Sequence, residues 1–257
     1  MSSNPKNPSK YSSSRAVWWV DRSRSLAHQK AYREIASLVS PSERSVVVDY
    51  CCGNGELLKK VYFNSTRKKR SHPPLLIGTD ISSEMLELAV ENLQSSGIEA
   101  KIVEDAQDVV NHRGIVLVKD DLIDSQLPLG ISDITLLTFP ELEHDPTLVR
   151  KFIGENPLLG HSGTTYNLQY HWLSRVTKRG RNVILVDYTR SKGGKSDLDR
   201  KHFKDEYERA ERFGLKLVRI RFVADSEVFR DLEEKEQDRC KQQGGRGGYE
   251  ILICQKR

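Results

Sequence analysis

The chain has 257 residues, a net charge of +5 at pH 7 and 37% hydrophobic residues. This length suits one α/β domain with a small appendage, and no apolar run reaches the roughly 20 residues that span a bilayer. The charge is uneven: of the 41 basic and 36 acidic side chains, residues 1–33 hold seven basic and one acidic, which leaves 34 basic and 35 acidic. Because the remainder is nearly neutral, the isoelectric point alone is weak evidence for nucleic-acid binding.

Four cysteines, Cys51, Cys52, Cys240 and Cys254, follow neither the spacing of a disulfide framework nor that of a zinc site. The first residues also lack the apolar segment that a secretory signal requires. We therefore expect a cytoplasmic protein without a bound metal and without membrane association.

The N-terminal part differs in composition from the rest. Residues 1–14 are rich in Ser, Asn, Pro and Lys and are predicted to form a disordered basic tail. Residues 15–40 are predicted to form a lid or a clasp, with a helix over 23–39. Trp18 and Trp19 cannot both face the core from one helix, so a lid over the site and a clasp on the sheet edge stay open. A lid would allow residues 1–33 to be deleted without unfolding the main domain, residues 41–257.

In that domain, apolar runs typical of strands alternate with amphipathic segments typical of helices. Strands are predicted at 45–50, 75–80, 115–119, 133–139, 182–188, 215–223 and 250–255, and helices at 56–63, 82–96, 99–112, 147–153, 166–177 and 201–213. This order predicts an α/β fold with a mostly parallel sheet covered by helices on both faces. Residues 98–113 are predicted to be a helical insertion.

The strongest chemical signal lies in residues 46–58. A buried strand carries Asp49 near its end, turns on the small residues Cys51, Gly53 and Gly55, and enters a helix. Small residues there let the backbone approach a ligand closely. The third glycine of a dinucleotide motif is missing, and Glu56 in the first helical turn would repel a diphosphate. These features favour a zwitterionic amino-acid ligand and disfavour a NAD-dependent oxidoreductase.

Two further strands end in acids. Asp80 ends the second strand, where a carboxylate can accept the two hydroxyls of a ribose. Asp120-Asp121 follow the next predicted strand and could reach an adenine amino group, with Glu104-Asp105 as the alternative for this third position.

Three segments resemble the motifs of class I S-adenosylmethionine-dependent methyltransferases. Asp49-x-Cys51-Cys52-Gly53-x-Gly55 resembles motif I and is similar to the ubiquinone/menaquinone methyltransferase type. Residues 78–86 resemble the acidic second motif followed by S-x-x-M-L, and residues 133–137 resemble the strand-four motif. The resemblance implies a Rossmann-like, seven-stranded, mostly parallel sheet with an antiparallel last strand, and S-adenosylmethionine as the cofactor.

The resemblance also implies a set of cofactor-binding residues. They are Asp49, Cys51, Gly53, Asn54, Gly55, Asp80, Ile81, Met85, Asp120, Asp121, Leu122, Thr138 and Phe139. The exit from the fourth strand departs from the family, because Thr138-Phe139-Pro140-Glu141 is not the Asn/Asp-Pro-Pro-aromatic motif of many amino-group and nucleic-acid methyltransferases.

The acceptor side is predicted from segments that follow the strand ends. Candidate catalytic residues are His144, Glu141 and Tyr166, and candidate acceptor-binding residues are Trp18, Trp19, His28, Tyr170 and His171. We predict in-line methyl transfer to a small-molecule acceptor. Two alternatives stay open: an RNA or protein methyltransferase that grips its substrate through the basic N-terminal segment and residues 67–70, and a non-catalytic binding subunit with a cofactor fold.

Overall fold

A computed structural model of the chain describes residues 13–66, 72–140, 164–189, 197–224 and 248–257. The described strands are β1 Val46–Tyr50, β2 Leu75–Asp80, β3 Ala100–Val103, β4 Ile115–Lys119, β5 Ser132–Thr138, β6 Thr177–Thr189, β7 Leu215–Ala224 and β8 Gly248–Lys256. The described α-helices are α1 Ser13–Arg24, α2 Leu26–Leu38, α3 Glu56–Thr66, α4 Ser83–Gln94, α5 Thr164–Val176 and α6 Asp197–Arg212. The predicted helix at 147–153 lies outside the described residues.

The strands form one sheet in the order β3-β4-β2-β1-β5-β6-β8-β7. Strand β8 is antiparallel to both of its neighbours, β6 and β7, whereas the other neighbouring strands are parallel to each other. The predicted α/β class and the antiparallel last strand are therefore confirmed. The described sheet has eight strands, and the seven that the sequence predicted are all among them.

The eighth strand, β3, lies within the segment that was predicted to be a helical insertion, so that prediction was wrong. Strand β3 pairs in parallel with β4, and a short 3₁₀ helix follows at Ala106–Asn111. The Asp105 side chain accepts a hydrogen bond from the Gln107 amide (2.8 Å) and caps that 3₁₀ helix. The spacing of the apolar residues suggested a continuous helix, but an edge strand followed by a helical turn buries Ala106 and Val109 equally well.

Helices cover both faces of the sheet, because side chains alternate along each strand. On one face, Val47 of β1 packs in a core with residues of α2, α3 and α4. On the other face, Val48 packs in a second core with residues of α5 and the Ala106–Asn111 helix. Among the described residues, no helix combines the length and the hydropathy that a membrane span needs.

The predicted single helix over 23–39 is instead two helices. Ser25 separates them and caps α2, because its side chain accepts a hydrogen bond from the His28 amide. Helix α2 packs on one face of the sheet: Ala31 and Ile35 are fully buried in the first core, and Glu34 accepts a hydrogen bond from the Tyr249 hydroxyl of β8 (2.9 Å). A deletion of residues 1–33 would cut through this packed helix, which argues against residues 1–33 being a removable lid.

Candidate active site

The turn after β1 has an unusual backbone. Cys51, Gly53 and Gly55 all have positive φ angles, of 56°, 54° and 73°. The turn is tied to β2 by the Cys52 amide, which donates to the Thr79 carbonyl (2.8 Å). The left-handed conformation costs a non-glycine residue about 1–2 kcal/mol, so Cys51 stores strain at this position. A strained, side-chain-poor turn leaves open space above the strand ends.

Asp80, at the end of β2, fixes this turn to the next one. Its Oδ2 accepts a hydrogen bond from the Gly53 amide (3.0 Å), and its Oδ1 accepts one from the Ser82 amide (3.0 Å). Ser82 in turn caps α4, because its hydroxyl accepts from the Met85 amide (3.2 Å). Burial raises the pKa of Asp80, although these backbone amides oppose that effect. The carboxylate is thus held in one orientation.

Asp49 lies beneath the turn, on β1. Its carboxyl group is fully buried, and neither oxygen has a hydrogen-bond partner among the described residues. Burial, and secondarily the nearby Asp80 carboxylate, raise the pKa of Asp49 well above its usual value. A buried polar group without a partner costs about 1–3 kcal/mol, so the folded chain carries an unsatisfied acceptor next to the site.

Asp120 follows β4 and is the third acid. Its Oδ2 accepts a hydrogen bond from the Ser125 hydroxyl (2.6 Å), and its Oδ1 accepts one from the Gln126 amide (2.8 Å). Burial raises the pKa of Asp120 to about 6. The alternative pair, Glu104-Asp105, follows β3 and is exposed. Neither residue lines the cavity that Asp80 and Asp120 share. The structure therefore favours Asp120-Asp121 for the third position.

A single cavity, with roughly 980 Å³ of space that is partly open to solvent, joins these elements. All of the predicted cofactor residues except Asp49 and Gly55 line it: Cys51, Gly53, Asn54, Asp80, Ile81, Met85, Asp120, Asp121, Leu122, Thr138 and Phe139. We call the part formed by these strand ends and their turns the cavity floor.

The N-terminal helices close the other side, which we call the cavity roof: Ala16, Trp19 and Ser23 of α1, and Tyr32 of α2. Of the predicted acceptor residues, Trp19 lines the cavity, whereas Trp18 is 36% exposed and does not. Sequence reasoning missed Ala16, Ser23 and Tyr32. The spacing of Ala16, Trp19 and Ser23 as i, i+3 and i+7 on one helix face could have indicated them.

His28 lies behind the cavity wall. It is almost fully buried, and its ring centroid is 4.8 Å from that of Phe139, whose own ring lines the cavity. Burial, reinforced by the charge of Arg22, lowers the pKa of His28 to about 3. The imidazole is therefore neutral at physiological pH and supports the position of Phe139.

The roof and the floor are joined by polar contacts. The Asn54 side-chain amide donates to the Ser23 hydroxyl (2.9 Å), and both side chains are buried. Gln29 donates to the Ser23 carbonyl (2.8 Å) and to the Glu56 carboxylate in the first turn of α3 (3.1 Å). These bonds fix the end of α1 against the turn after β1.

Two predicted acceptor residues lie elsewhere, and this part of the prediction is corrected. Tyr170 is 1% exposed in the second core, where its hydroxyl donates to the Glu206 carboxylate (2.5 Å). His171 packs its ring against Trp172 and Phe213. Helix α5 directs both residues toward the far face of the sheet, which the helical pattern could not show. Glu141 and His144 lie outside the described residues, as does the side chain of Tyr166.

The ionised side chains of the cavity are all of one sign. Among the described lining residues, the charged groups are Asp80, Asp120 and Asp121, and Lys, Arg and His are absent. In the part of the chain that the structure describes, no cluster of three or more His, Cys, Asp or Glu side chains could hold a metal ion. The cavity therefore suits a ligand that carries positive charge.

Comparisons with solved structures show related folds. Geranyl diphosphate C-methyltransferase from Streptomyces coelicolor A3(2), solved with Mg²⁺, geranyl diphosphate and S-adenosyl-L-homocysteine, is 12% identical with a TM-score of 0.58, over 99% of this chain and 88% of that one. Phosphoethanolamine N-methyltransferase 2 from Haemonchus contortus, solved with S-adenosyl-L-methionine, is 11% identical with a TM-score of 0.55, over 96% of this chain and 58% of that one. The [4+2]-cyclase SpnF is 14% identical with a TM-score of 0.54, over 90% and 82%. At these identities the likeness establishes the fold.

A search of curated protein sequences finds no match. The chain shares its fold with these methyltransferase structures, which were solved with S-adenosyl-L-methionine or S-adenosyl-L-homocysteine. A family model, that of the AprA MT2-like domain, matches residues 29–120, about a third of the chain. The matched segment begins within α2 and contains β1, β2 and β4, and so includes most of the cavity floor.

Proposed function

We propose that the cavity binds S-adenosylmethionine across the floor and that its methyl group passes to a small-molecule acceptor held under the roof. One observation carries this proposal: a single cavity has acid-bearing strand ends on one side and aromatic side chains from α1, α2 and the end of β5 on the other. Ligands of open α/β sheets bind in the crevice at the carboxyl ends of the strands.

The residues of the floor suit the parts of the cofactor. The Gly53 turn leaves room for the methionine portion, and Asp80 would hold the ribose. Each carboxylate oxygen can accept a second hydrogen bond, so Asp80 can bind both ribose hydroxyls while it keeps its two backbone donors. Asp120 and Asp121 would face the adenine amino group, and Ile81, Met85 and Leu122 supply apolar walls for the ring.

The charge of the floor also suits this cofactor. When bound, S-adenosylmethionine supplies an electrophilic methyl group on a cationic sulfur. The buried Asp49 carboxyl group, which lacks a partner, and the raised pKa values of Asp49 and Asp80 fit a site that a positively charged ligand completes. The contribution of the chain is to align the acceptor with this methyl group and to exclude water.

The acceptor would lie against Trp19, Tyr32 and Phe139, which line the cavity. Two of the similar proteins are named for small molecules, geranyl diphosphate and phosphoethanolamine, which supports a small acceptor here. Those substrates bear phosphate groups, but the described lining offers carboxylates to such a group. We therefore propose that the end of the acceptor that enters the cavity is uncharged or cationic.

The free thiols of Cys51, Cys52 and Cys254 support a cytoplasmic location.

Calorimetry with S-adenosylhomocysteine and with NAD tests the cofactor. We expect S-adenosylhomocysteine to bind and NAD not to bind. Asp80→Asn should weaken binding about 100-fold or more, because two hydrogen bonds to a charged group are worth about 1.5–3 kcal/mol each. Asp108→Asn, an exposed acid on the Ala106–Asn111 helix, is the matched control and should bind normally. Preferential binding of NAD would refute the proposed function, and normal binding by Asp80→Asn would refute the ribose assignment.

The acceptor charge is tested with three probes that share one carbon skeleton: geraniol, geranylamine and geranyl diphosphate. Quenching of tryptophan fluorescence in the presence of S-adenosylhomocysteine reports binding near Trp19, and Trp19→Phe removes that signal as a control. We expect the alcohol and the amine to quench at lower concentrations than the diphosphate. Tighter binding of the diphosphate would show that the acceptor site carries a cation, contrary to the proposal.

A further inference from the structure

We propose that Tyr50 and Ser125 are positioning residues that hold the Asp120 carboxylate ionised and aimed into the cavity, and so determine the pH range in which the adenine end of the cofactor binds. This inference rests on the proposed function, since Asp120 is the group that would accept the adenine amino group. Neither Tyr50 nor Ser125 lines the cavity.

The three residues form a continuous hydrogen-bonded chain from the interior of the sheet to the cavity. The Tyr50 hydroxyl lies 2.7 Å from the Ser125 hydroxyl, which lies 2.6 Å from Asp120 Oδ2. Tyr50 is fully buried, and Ser125 and Asp120 are nearly so. Because Ser125 donates its single proton to the carboxylate, the Tyr50 hydroxyl must be the donor in the first contact.

Every donor in this network points toward negative charge on Asp120. The Gln126 amide donates to Oδ1 (2.8 Å), and the Leu127 amide donates to the Ser125 oxygen (3.3 Å), which strengthens that hydroxyl as a donor. Hydrogen bonds that favour the charged form of a carboxyl group lower its pKa. The chain therefore acts against protonation of Asp120.

The surroundings act in the opposite direction. Burial is the largest effect, and together with the Asp121 and Asp124 carboxylates it raises the pKa of Asp120 to about 6 against the opposing hydrogen bonds. The titratable side chains described on the neighbouring elements are Asp49 and Tyr50 of β1, Cys51 of the following turn, Asp80 of β2, Lys119 of β4, and Tyr170, His171 and Arg175 of α5. The balance between burial and the chain leaves Asp120 titrating close to physiological pH.

Protonation of Asp120 would change its use in binding. An ionised carboxylate accepts the two described donors and still has lone pairs for an adenine amino group. A protonated carboxyl group loses acceptor capacity and must turn its own proton toward some acceptor. Affinity for an adenosine ligand should therefore fall as the pH drops through the pKa of Asp120.

The structure separates this role from a packing role. The Tyr50 side chain packs in the second core, and its hydroxyl is its only polar group. Tyr50→Phe therefore keeps the ring and removes only the donor. Ser125→Ala removes the link to the carboxylate, and Ser125→Thr retains a hydroxyl as the rescue variant. Urea unfolding of each variant checks that the fold is intact.

The experiment is calorimetry of S-adenosylhomocysteine from pH 5 to pH 8.5. For the wild type we expect affinity to decrease below about pH 6. Ser125→Ala should move this midpoint upward by about one pH unit, so that affinity falls about fivefold at pH 6 and hardly at all at pH 8.5. Tyr50→Phe should shift it in the same direction by less, and Ser125→Thr should restore it. Asp120→Asn should show no midpoint in this range.

Weaker binding at all pH values with an unchanged midpoint would overturn the inference, because it would indicate a purely structural role. If Ser125→Ala does not fold, the midpoint of Tyr50→Phe decides, together with the Asp120 carboxyl carbon titration by NMR in the wild type and in Tyr50→Phe. If the wild type binds no S-adenosylhomocysteine, the proposed function itself is wrong. If the wild type binds it with no dependence on pH, only the present inference fails.

Discussion

The floor and the roof of the cavity are held in place by different forces. On the floor, Asp80 and Gly53 belong to strand ends and turns that the parallel sheet brings together, and the strands behind them are fully buried. On the roof, α1 is joined to the floor through side chains, among them the Asn54–Ser23 bond and the contacts of Gln29. A floor built on paired strands suits a cofactor of fixed shape, whereas a roof attached through side chains suits the passage of an acceptor.

The most direct way to disrupt the floor is to add a side chain beneath it, where the packing leaves no room. Gly78 of β2 has no room for a side chain, since a Cβ there would lie 2.6 Å from Leu58 and 2.7 Å from Leu117. We expect Gly78→Ala to lower the free energy of unfolding by about 2 kcal/mol, the usual cost of overpacking a core. Urea unfolding with and without S-adenosylhomocysteine measures the change.

The matched control is Gly114→Ala, where a Cβ would meet no atom within 4 Å and only the positive φ of 74° is unfavourable. That variant should lose about 1 kcal/mol. A Gly78→Ala protein as stable as the wild type would show that α3 and β4 pack less closely against β2 than these distances indicate.

The comparison between floor and roof also shows what the sequence can predict. Asp80 ends a strand and Asp120 follows one, and parallel strands align their carboxyl ends, so the local pattern was enough to place both acids on the floor. The roof depends on which face of α1 turns inward, and Ser25 divides a segment whose periodicity indicated one helix. Tyr170 occupies the inward face of α5, but on the opposite side of the sheet, which is a property of the topology and not of the local pattern.

Substitution of Asp49 tests whether the floor is adapted to a cationic ligand. In Asp49→Asn, a neutral side chain of the same shape replaces a buried carboxyl group whose pKa is raised by burial and by Asp80. We expect affinity for S-adenosylmethionine to fall about tenfold. The unliganded protein should become more stable by about 1 kcal/mol, because an unsatisfied buried acid is removed.

The pH dependence of that stability gain shows whether the fold favours Asp49 as a neutral acid or as an anion. The folded wild type binds the Asp49 proton more tightly than the unfolded chain does, so this group's contribution to stability is lost as the pH rises from the unfolded value toward the folded one. The advantage of Asp49→Asn should therefore grow with pH. Thermal unfolding at several pH values measures it, and an advantage that shrinks with rising pH would show that Asp49 is stabilised as an anion.

The link between roof and floor is tested by a double-mutant cycle. Ser23→Ala and Asn54→Ala each remove one partner of a buried hydrogen bond. We expect each to cost about 1 kcal/mol of stability, with a coupling energy of about 1 kcal/mol between them. Ser95→Ala, which removes an exposed hydrogen bond at the end of α4, serves as the control outside the cavity. A coupling energy near zero would mean that α1 is held by its apolar contacts alone.

The smallest expected effect concerns the strain in the turn. Cys51 has a φ of 56°, and its thiol is held neutral because burial raises the pKa well above its usual value. Cys51→Gly removes the cost of the left-handed conformation, about 1–2 kcal/mol, but increases the freedom of the unfolded chain, which costs about 0.4–1 kcal/mol. A net stabilisation of about 0.5 kcal/mol should follow, measured by urea unfolding against Cys254→Ala, which creates a buried cavity and should destabilise. If Cys51→Gly is instead destabilising, the Cys51 side chain contributes packing that outweighs its backbone strain, and the floor would be held by side chains as well as by the sheet.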